Sequence, residues 1–378
     1  MSCGIVGVHL GAGYHSPDRQ EEYRGAINKA CQEAISLLKS GGSAVDAVSV
    51  AVAALEDCPC TNAGIGSNLT LDGSIECDAG LMDGNSMHFG AVGALSGIKN
   101  PVKVAHTMVL EQQKGLLSFG RIPPCVLVGN GALQWASDHG FREVSMSSLI
   151  TQRALSSYRK HKRRLAEVTC EAQSNGENVA KQARMTSMSE DAMQDTVGAV
   201  CMDSHGHTAS AVSSGGIVLK HPGRIGHAVM FGCGCWAQSH RQSSMGVNAA
   251  CSTSGCGEQL MRCCLARACC QAVIDGDDPS AAVSSVFQKQ FLKSPLLGDD
   301  SPRLGGALTL QCGDDTSKSE LLWIHSTESM CVGYMDTGLT RPKMVISRLP
   351  KGARAGKSFT LGGTVLYPGP PDPEPKPP

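Results

Sequence analysis

The chain has 378 residues, of which 41% are hydrophobic and 18% charged, with 44 Gly. Such a composition builds a sizeable core rather than a disordered chain. Its 33 Lys and Arg nearly balance 34 Asp and Glu, for a net charge of −1, which argues against broad electrostatic binding to nucleic acid or a membrane surface.

No apolar run reaches the roughly 18 residues of a membrane span, and residues 1–8 lack the basic start and long apolar stretch of a signal peptide. The 18 Cys include the close pairs Cys58/Cys60, Cys233/Cys235, Cys263/Cys264 and Cys269/Cys270. None forms a repeated C-x-x-C frame, so we expect no metal site, and free thiols used as small buried hydrophobes in a reducing compartment.

In chain order, residues 6–8 predict a strand running into the glycine turn His9-Leu10-Gly11-Ala12-Gly13, where backbone can approach a ligand. Apolar positions Ala26, Ile27, Ala30, Cys31, Ala34, Ile35 and Leu38 predict a helix over 22–39, stopped by Gly41-Gly42. A second helix starts at Ser43 as N-cap and runs to about Leu55. Asp72-Gly73 between 68–71 and 74–77 predicts a hairpin. Residues 89–95 and 126–128 read as strands, and 101–112 as a helix with Pro in its first turn.

From 151 to 195 the character changes. A basic patch of Arg159, Lys160, Lys162, Arg163 and Arg164 gives way to polar residues without apolar period, a helix fraying into a mobile tail. Segments 197–202 and 208–213 then alternate around Asp203-Ser204-His205-Gly206, a second hairpin. Helices are predicted over 258–274 and 279–293, strands over 307–311, 321–325 and 330–335, and a solvated Pro-rich tail from Pro368. This order suits an α+β fold, two sheets packed between helix layers as an αββα sandwich.

The chemistry concentrates at Asp195-Thr196-Val197-Gly198. A Thr that opens a strand behind a polar tail fits a buried strand residue or a concealed N-terminal nucleophile, and the motifs that follow it favour the second. Cutting the 195–196 bond frees an α-amine beside the Thr196 hydroxyl. With a pKa of about 7.7–8.0 that amine serves as general base near neutral pH. A β-branched nucleophile also has few side-chain rotamers, so its hydroxyl is held in place.

Behind Thr196 come Ser213-Ser214-Gly215-Gly216, Gly223-Arg224-Ile225-Gly226 and Ser252-Thr253-Ser254-Gly255-Cys256-Gly257-Glu258. This ordered set resembles the plant-type asparaginase/glycosylasparaginase family of N-terminal-nucleophile hydrolases, over nearly the whole chain except 151–190 and the tail. Asp195 before the Thr, Asn68-Leu69, Ile75-Glu76-Cys77-Asp78-Ala79 and the run from Thr327 to Tyr334 are similar to its protease branch, the threonine aspartases or taspases, which cut after Asp.

The resemblance implies autocleavage between Asp195 and Thr196, with residues 1–195 and 196–378 remaining together as two subunits of one catalytic domain. It implies that Ser214 assists Thr196, that the Ser254 hydroxyl and Gly255 N–H form the oxyanion hole, and that Gly11 and Gly13 border the substrate. Arg224 matches the residue that clamps a free α-carboxylate in the asparaginases. In a peptide the β-carboxylate of an internal Asp would fill the same bidentate clamp. At 227 the small-amino-acid hydrolases carry an Asp and the protease branch a Gln; His227 departs from both. A peptide offers only a neutral amide there, so a carboxylate would gain no partner.

The resemblance further implies a homodimer of processed pairs, protein substrates such as nuclear transcription regulators, and nuclear as well as cytoplasmic residence. Residues 159–164 would act as an import signal rather than as a merely solvated face. No cofactor is expected beyond a structural sodium ion in the 55–66 loop. Three other readings stand beside this one: an L-asparaginase or isoaspartyl peptidase; a non-catalytic interaction protein that stays uncut; and a Cys3 nucleophile like that of class II glutamine amidotransferases, which requires removal of Met1 and Ser2.

Overall fold

The computed structural model describes residues 3–175, 196–239, 246–298, 301–313 and 318–367. Its first half contains β1 (Ile5–Gly13), α1 (Gln20–Lys39), α2 (Ala44–Glu56), β2 (Cys77–Asp83), β3 (Phe89–Leu95) and α3 (Pro101–Gln113), then β4 (Val126–Val128), α4 (Gly129–Asp138), α5 (Met146–Leu149) and α6 (Gln152–Asn175). The second half has β5 (Val197–Met202), β6 (Thr208–Ser214), β7 (Cys235–Gln238), β8 (Asn248–Gly255), α7 (Gly257–Cys263), α8 (Leu265–Asp275), α9 (Pro279–Val286), β9 (Gly305–Cys312), β10 (Ser319–His325), β11 (Ser329–Asp336), β12 (Lys343–Arg348) and β13 (Thr360–Leu366).

Strand β1 is buried at every position, as expected of a strand covered on both faces. It is the third strand of an eight-stranded sheet of order β12-β11-β1-β5-β6-β2-β3-β4, with β5 and β6 at the centre. Residues from before 175 and after 196 therefore alternate in one sheet. The second sheet, β13-β10-β9-β8-β7, packs against it.

Alternation decides which way β5 faces. Val197, Ala199 and Cys201 join α1, α2, α3 and α4 in the outer core. Val200 and Met202 instead join β8, β9, β10, α8 and α9 in the inner core. With a side-chain period of 2, Thr196 belongs to the inner set, facing the second sheet. This is the αββα sandwich expected. No described helix is long and apolar enough to cross a membrane.

Several local expectations are met with a visible cause. Ser43 caps α2 by accepting the Asp46 N–H at 3.1 Å and donates its own hydroxyl to the Asp46 carboxylate at 2.7 Å. The β5–β6 turn is tied by Asp203, whose Oδ1 accepts the His205 and His207 N–H groups at 2.9 and 3.1 Å.

Others differ. The expected 68–77 hairpin is only a turn, in which Thr70 N–H donates to the Ser74 carbonyl at 2.9 Å and Gly73 N–H to that of Thr70 at 3.0 Å. The pairing of its flanks goes no further, and Leu71 N–H donates instead to the Lys220 carbonyl at 2.9 Å. The helix expected over 258–274 breaks at Cys264, whose φ of 45° ends α7 and opens α8. The stretch after α9, Phe287–Leu292, widens into a π-helix. The basic helix extends further than a frayed tail would, to Asn175, with Arg159, Lys160, Arg163 and Arg164 exposed. The tail beyond it and the Pro-rich end lie outside the described residues.

Candidate active site

Thr196 is 1% exposed, at the head of β5. Its hydroxyl donates to Ser214 Oγ at 3.0 Å, and the same oxygen accepts the Gly216 N–H at 3.0 Å. Strand pairing explains the contact: Val197 lies opposite Ser213, so Ser214 at the end of β6 comes beside Thr196. Asp195, the other half of the expected cleavage site, lies outside the described residues.

The inner face behind Thr196 carries no net charge. Gly198 packs so closely on Ser252 and His9 that a side chain would not fit. Ser252 spends its own proton on the Ala211 carbonyl at 3.2 Å, so its oxygen accepts from His9 Nε2–H at 2.9 Å. The His9 imidazole is neutral near pH 7. Burial, with the neighbouring His227 as a lesser cause, pushes its pKa down to about 3.

Two residues along β8, Ser254 points the same way as Ser252 and accepts the Ala12 N–H at 2.9 Å. A register shift between His9 and Ala12 in the β1–β11 pairing, with Gly11 at φ 114°, turns that N–H toward it. Gly13 ends β1, its carbonyl accepting from the Ser329 hydroxyl at 3.4 Å. Gly255 ends β8 at φ 138°, where an added Cβ would stand 2.5 Å from the Leu304 carbonyl oxygen. Only glycine fits that crossing. The structure thus brings Gly11, Gly13, Ser254 and Gly255 to the strand ends nearest Thr196 and Ser214.

A supporting layer lies behind β6. Glu56 Oε1 accepts from the Ser213 hydroxyl at 2.6 Å and from Val102 N–H at 3.0 Å. Full burial pushes this carboxyl up to about 8. Asn62 and Asn68 both donate to the Gly216 carbonyl, at 2.9 and 2.8 Å.

The 55–66 loop holds itself together. The Thr61 hydroxyl donates to the Leu55 and Cys58 carbonyls at 2.8 and 3.0 Å, and Ile65 N–H to that of Glu56 at 2.8 Å. These bonds make 55–66 a turn tied by its own side chains and backbone.

Beyond Gly216 the character reverses. Arg224 directs Nε and Nη2 at Glu258, with contacts of 2.9, 2.7 and 2.7 Å. The bidentate fork expected to hold a substrate carboxylate is therefore already filled, and only Nη1 remains. Burial works to raise the Glu258 carboxyl, but Arg224 outweighs it and holds it below the usual carboxylate range. Asp78 fixes the Arg224 loop by accepting Gly226 N–H at 2.7 Å and ties it to β3 through Ala94 N–H at 2.9 Å.

His227 is buried, and its Nε2–H donates to the Thr253 carbonyl at 3.2 Å. Burial pushes it down to about 4, so it is neutral near pH 7. Sequence reading assigned no role to Lys220, Glu258 or Asp78. Glu258 and Asp78 stood inside recognised motifs, but their partners are distant in sequence, and nothing marked Lys220.

Comparison with known proteins agrees with this geometry. The asparaginase family profile matches residues 4–337. The human isoaspartyl peptidase/L-asparaginase is 36% identical over 351 residues, covering 92% of this chain and 99% of its own. The mouse protein of the same name is 35% identical over 316 residues, 83% of this chain and 84% of its own. The isoaspartyl peptidase of Salmonella typhimurium is 33% identical over 267 residues, 69% and 76%. With a Thr–Ser pair at the head of β5 in an αββα sandwich, the chain belongs to the asparaginase family of N-terminal-nucleophile hydrolases.

Proposed function

We propose that this protein is an autoprocessing threonine hydrolase that cuts peptide bonds after Asp. The observation carrying the hydrolase reading is the buried Thr196 hydroxyl on Ser214 at 3.0 Å. During maturation Thr196 Oγ attacks the Asp195 carbonyl, the chain shifts from amide to ester, and water opens the ester. The freed Thr196 amine then takes the hydroxyl proton as Oγ attacks a substrate carbonyl, and returns it to the leaving amine. Ser254 and Gly255 N–H hold the developing oxyanion. Water releases the acyl group to complete the turnover.

The choice of an endopeptidase rests on His227. It is neutral, with its Nε2–H committed to a backbone carbonyl, and so supplies no negative charge to a free α-ammonium. The names of the relatives favour a second reading, an isoaspartyl peptidase or L-asparaginase acting on small substrates. As further parts of the proposal, the substrates are exposed Asp-containing segments of nuclear transcription regulators, the 159–164 run directs nuclear entry, and processed pairs dimerise.

Both readings are tested by offering the mature protein an Asp-Gly peptide, its Asn counterpart, a β-aspartyl dipeptide and free L-asparagine. Cleavage of the first alone is expected. Turnover of asparagine or the β-aspartyl dipeptide with the Asp peptide untouched would replace the endopeptidase reading with the second.

A further inference from the structure

The longest fully buried side chain near the site has no role so far. Lys220 is 1% exposed, and among the described residues its Nζ makes one hydrogen bond, to the Glu76 carbonyl at 2.6 Å. An ammonium has three donors. Among the described residues Lys220 forms no ion pair, and the acids around it are engaged elsewhere. Glu76 accepts Gly223 N–H at 2.8 Å, Asp78 accepts two backbone N–H groups, and Glu258 holds Arg224. Burying a cation in this state is costly unless something else completes it.

The backbone is arranged to keep Lys220 there. Leu219 sits at φ 56°, a left-handed conformation unfavourable for a branched side chain. Leu219 N–H donates to the Leu69 carbonyl and Leu71 N–H to the Lys220 carbonyl, each at 2.9 Å, so the 69–71 segment pins the turn from both sides.

Gly216 shows where Lys220 points. A Cβ added there would stand 3.2 Å from Lys220 Nζ and 3.2 Å from Arg224 Nη1. Two cations thus converge on one side-chain-free space, over a glycine whose N–H is bonded to the hydroxyl that receives Thr196. Since Glu258 occupies the Arg224 fork, Nη1 alone would give a carboxylate a single contact.

We propose that Lys220 is the second cation of the substrate-carboxylate site, so that the acidic group of the substrate is held between Lys220 Nζ and Arg224 Nη1 over Gly216. This deepens the proposed function and rests on its hydrolase reading. The carboxylate is the β-carboxylate of an internal Asp, or the α-carboxylate if the substrates are small.

The test compares kcat/KM for an Asp-Gly peptide and its Asn counterpart in the mature wild type, Lys220→Met and Lys220→Arg. Removing one cation from a buried carboxylate should lower the Asp-to-Asn ratio by about thirty-fold or more in Lys220→Met, mainly through KM on the Asp peptide. Lys220→Arg should keep most of the discrimination. An equal loss on both peptides, or an unchanged ratio, overturns the proposal and leaves Lys220 as a prop for the Glu76 backbone. If Lys220→Met is insoluble, Lys220→Gln takes its place, since it keeps a donor for the Glu76 carbonyl but carries no charge: a lowered Asp-to-Asn ratio supports the proposal and an unchanged one overturns it. If the wild type ignores the Asp peptide, the endopeptidase reading has failed separately. The same variants are then read on a β-aspartyl dipeptide against its α-carboxamide.

Discussion

Two regions meet at Gly216 and treat charge in opposite ways. Around Thr196 the partners are hydroxyls. The titratable groups behind it are driven to their uncharged forms by burial, His9 down to about 3 and Glu56 up to about 8. Around Arg224 the partners are Glu258, Asp78, Glu76 and Lys220. The difference follows from the task of each. A nucleophile whose base is its own amine needs that amine free of its proton, and a fixed carboxylate nearby would raise its pKa and hold the proton on. Recognition of an acidic substrate needs fixed cations, of which Arg224 is balanced by Glu258 while Lys220 has only the Glu76 carbonyl.

The largest break is on the neutral side. Thr196→Ala removes the attacking atom for maturation and turnover together. The variant should run as one chain on a denaturing gel, and turnover of any substrate should fall by about 10⁵-fold or more, as for loss of other catalytic nucleophiles. A variant that still divides before residue 196 would show that another group performs the cut.

On the charged side, Arg224→Ala should be the next most damaging, provided processed protein is obtained. It removes the Nη1 contact and leaves Glu258 without its counter-ion. We expect a loss of about 10³–10⁴-fold in kcat/KM on an Asp peptide, with far less change on an Asn peptide. A uniform loss on both would assign Arg224 to folding of the 223–226 loop rather than to recognition.

The two regions were unequally legible in the sequence. The nucleophile strand was plain because alternation in 197–202 and 208–213 around the Asp203–Gly206 turn has one reading, and Thr196 opens it. β8 was not, since Asn248–Gly255 is small and polar with few β-branched residues; its motif was recognised only by resemblance. Burial between the sheets, which no local pattern encodes, makes it a strand. Arg224 was found, but its fork is filled by Glu258, 34 positions away. Lys220 was missed altogether. A lysine in a loop reads as solvated, and only the left-handed Leu219 and the packing of 69–71 turn it inward.

The smallest effect expected is on Glu56, and it asks how far the neutral region depends on a held proton. Its carboxyl, usually near 4.5, is pushed up to about 8 in the folded chain by burial. The folded state therefore binds a proton that the unfolded state releases between those two values. Stability from this site is fully present below about pH 4.5 and is lost as pH rises toward 8, at up to about 1.4 kcal/mol per pH unit. Glu56→Gln keeps an oxygen to accept from Ser213 and Val102 but carries no proton to lose. Near pH 5 the variant should match the wild type within about 1 kcal/mol. By pH 8 it should be the more stable of the two by a few kcal/mol, since only the wild type must then carry a buried proton or a buried charge. Chemical denaturation midpoints at pH 5 and 8 measure the difference. Parallel pH curves for the two proteins would mean that Glu56 is already ionised behind Ser213, and that the region around Thr196 tolerates a charge.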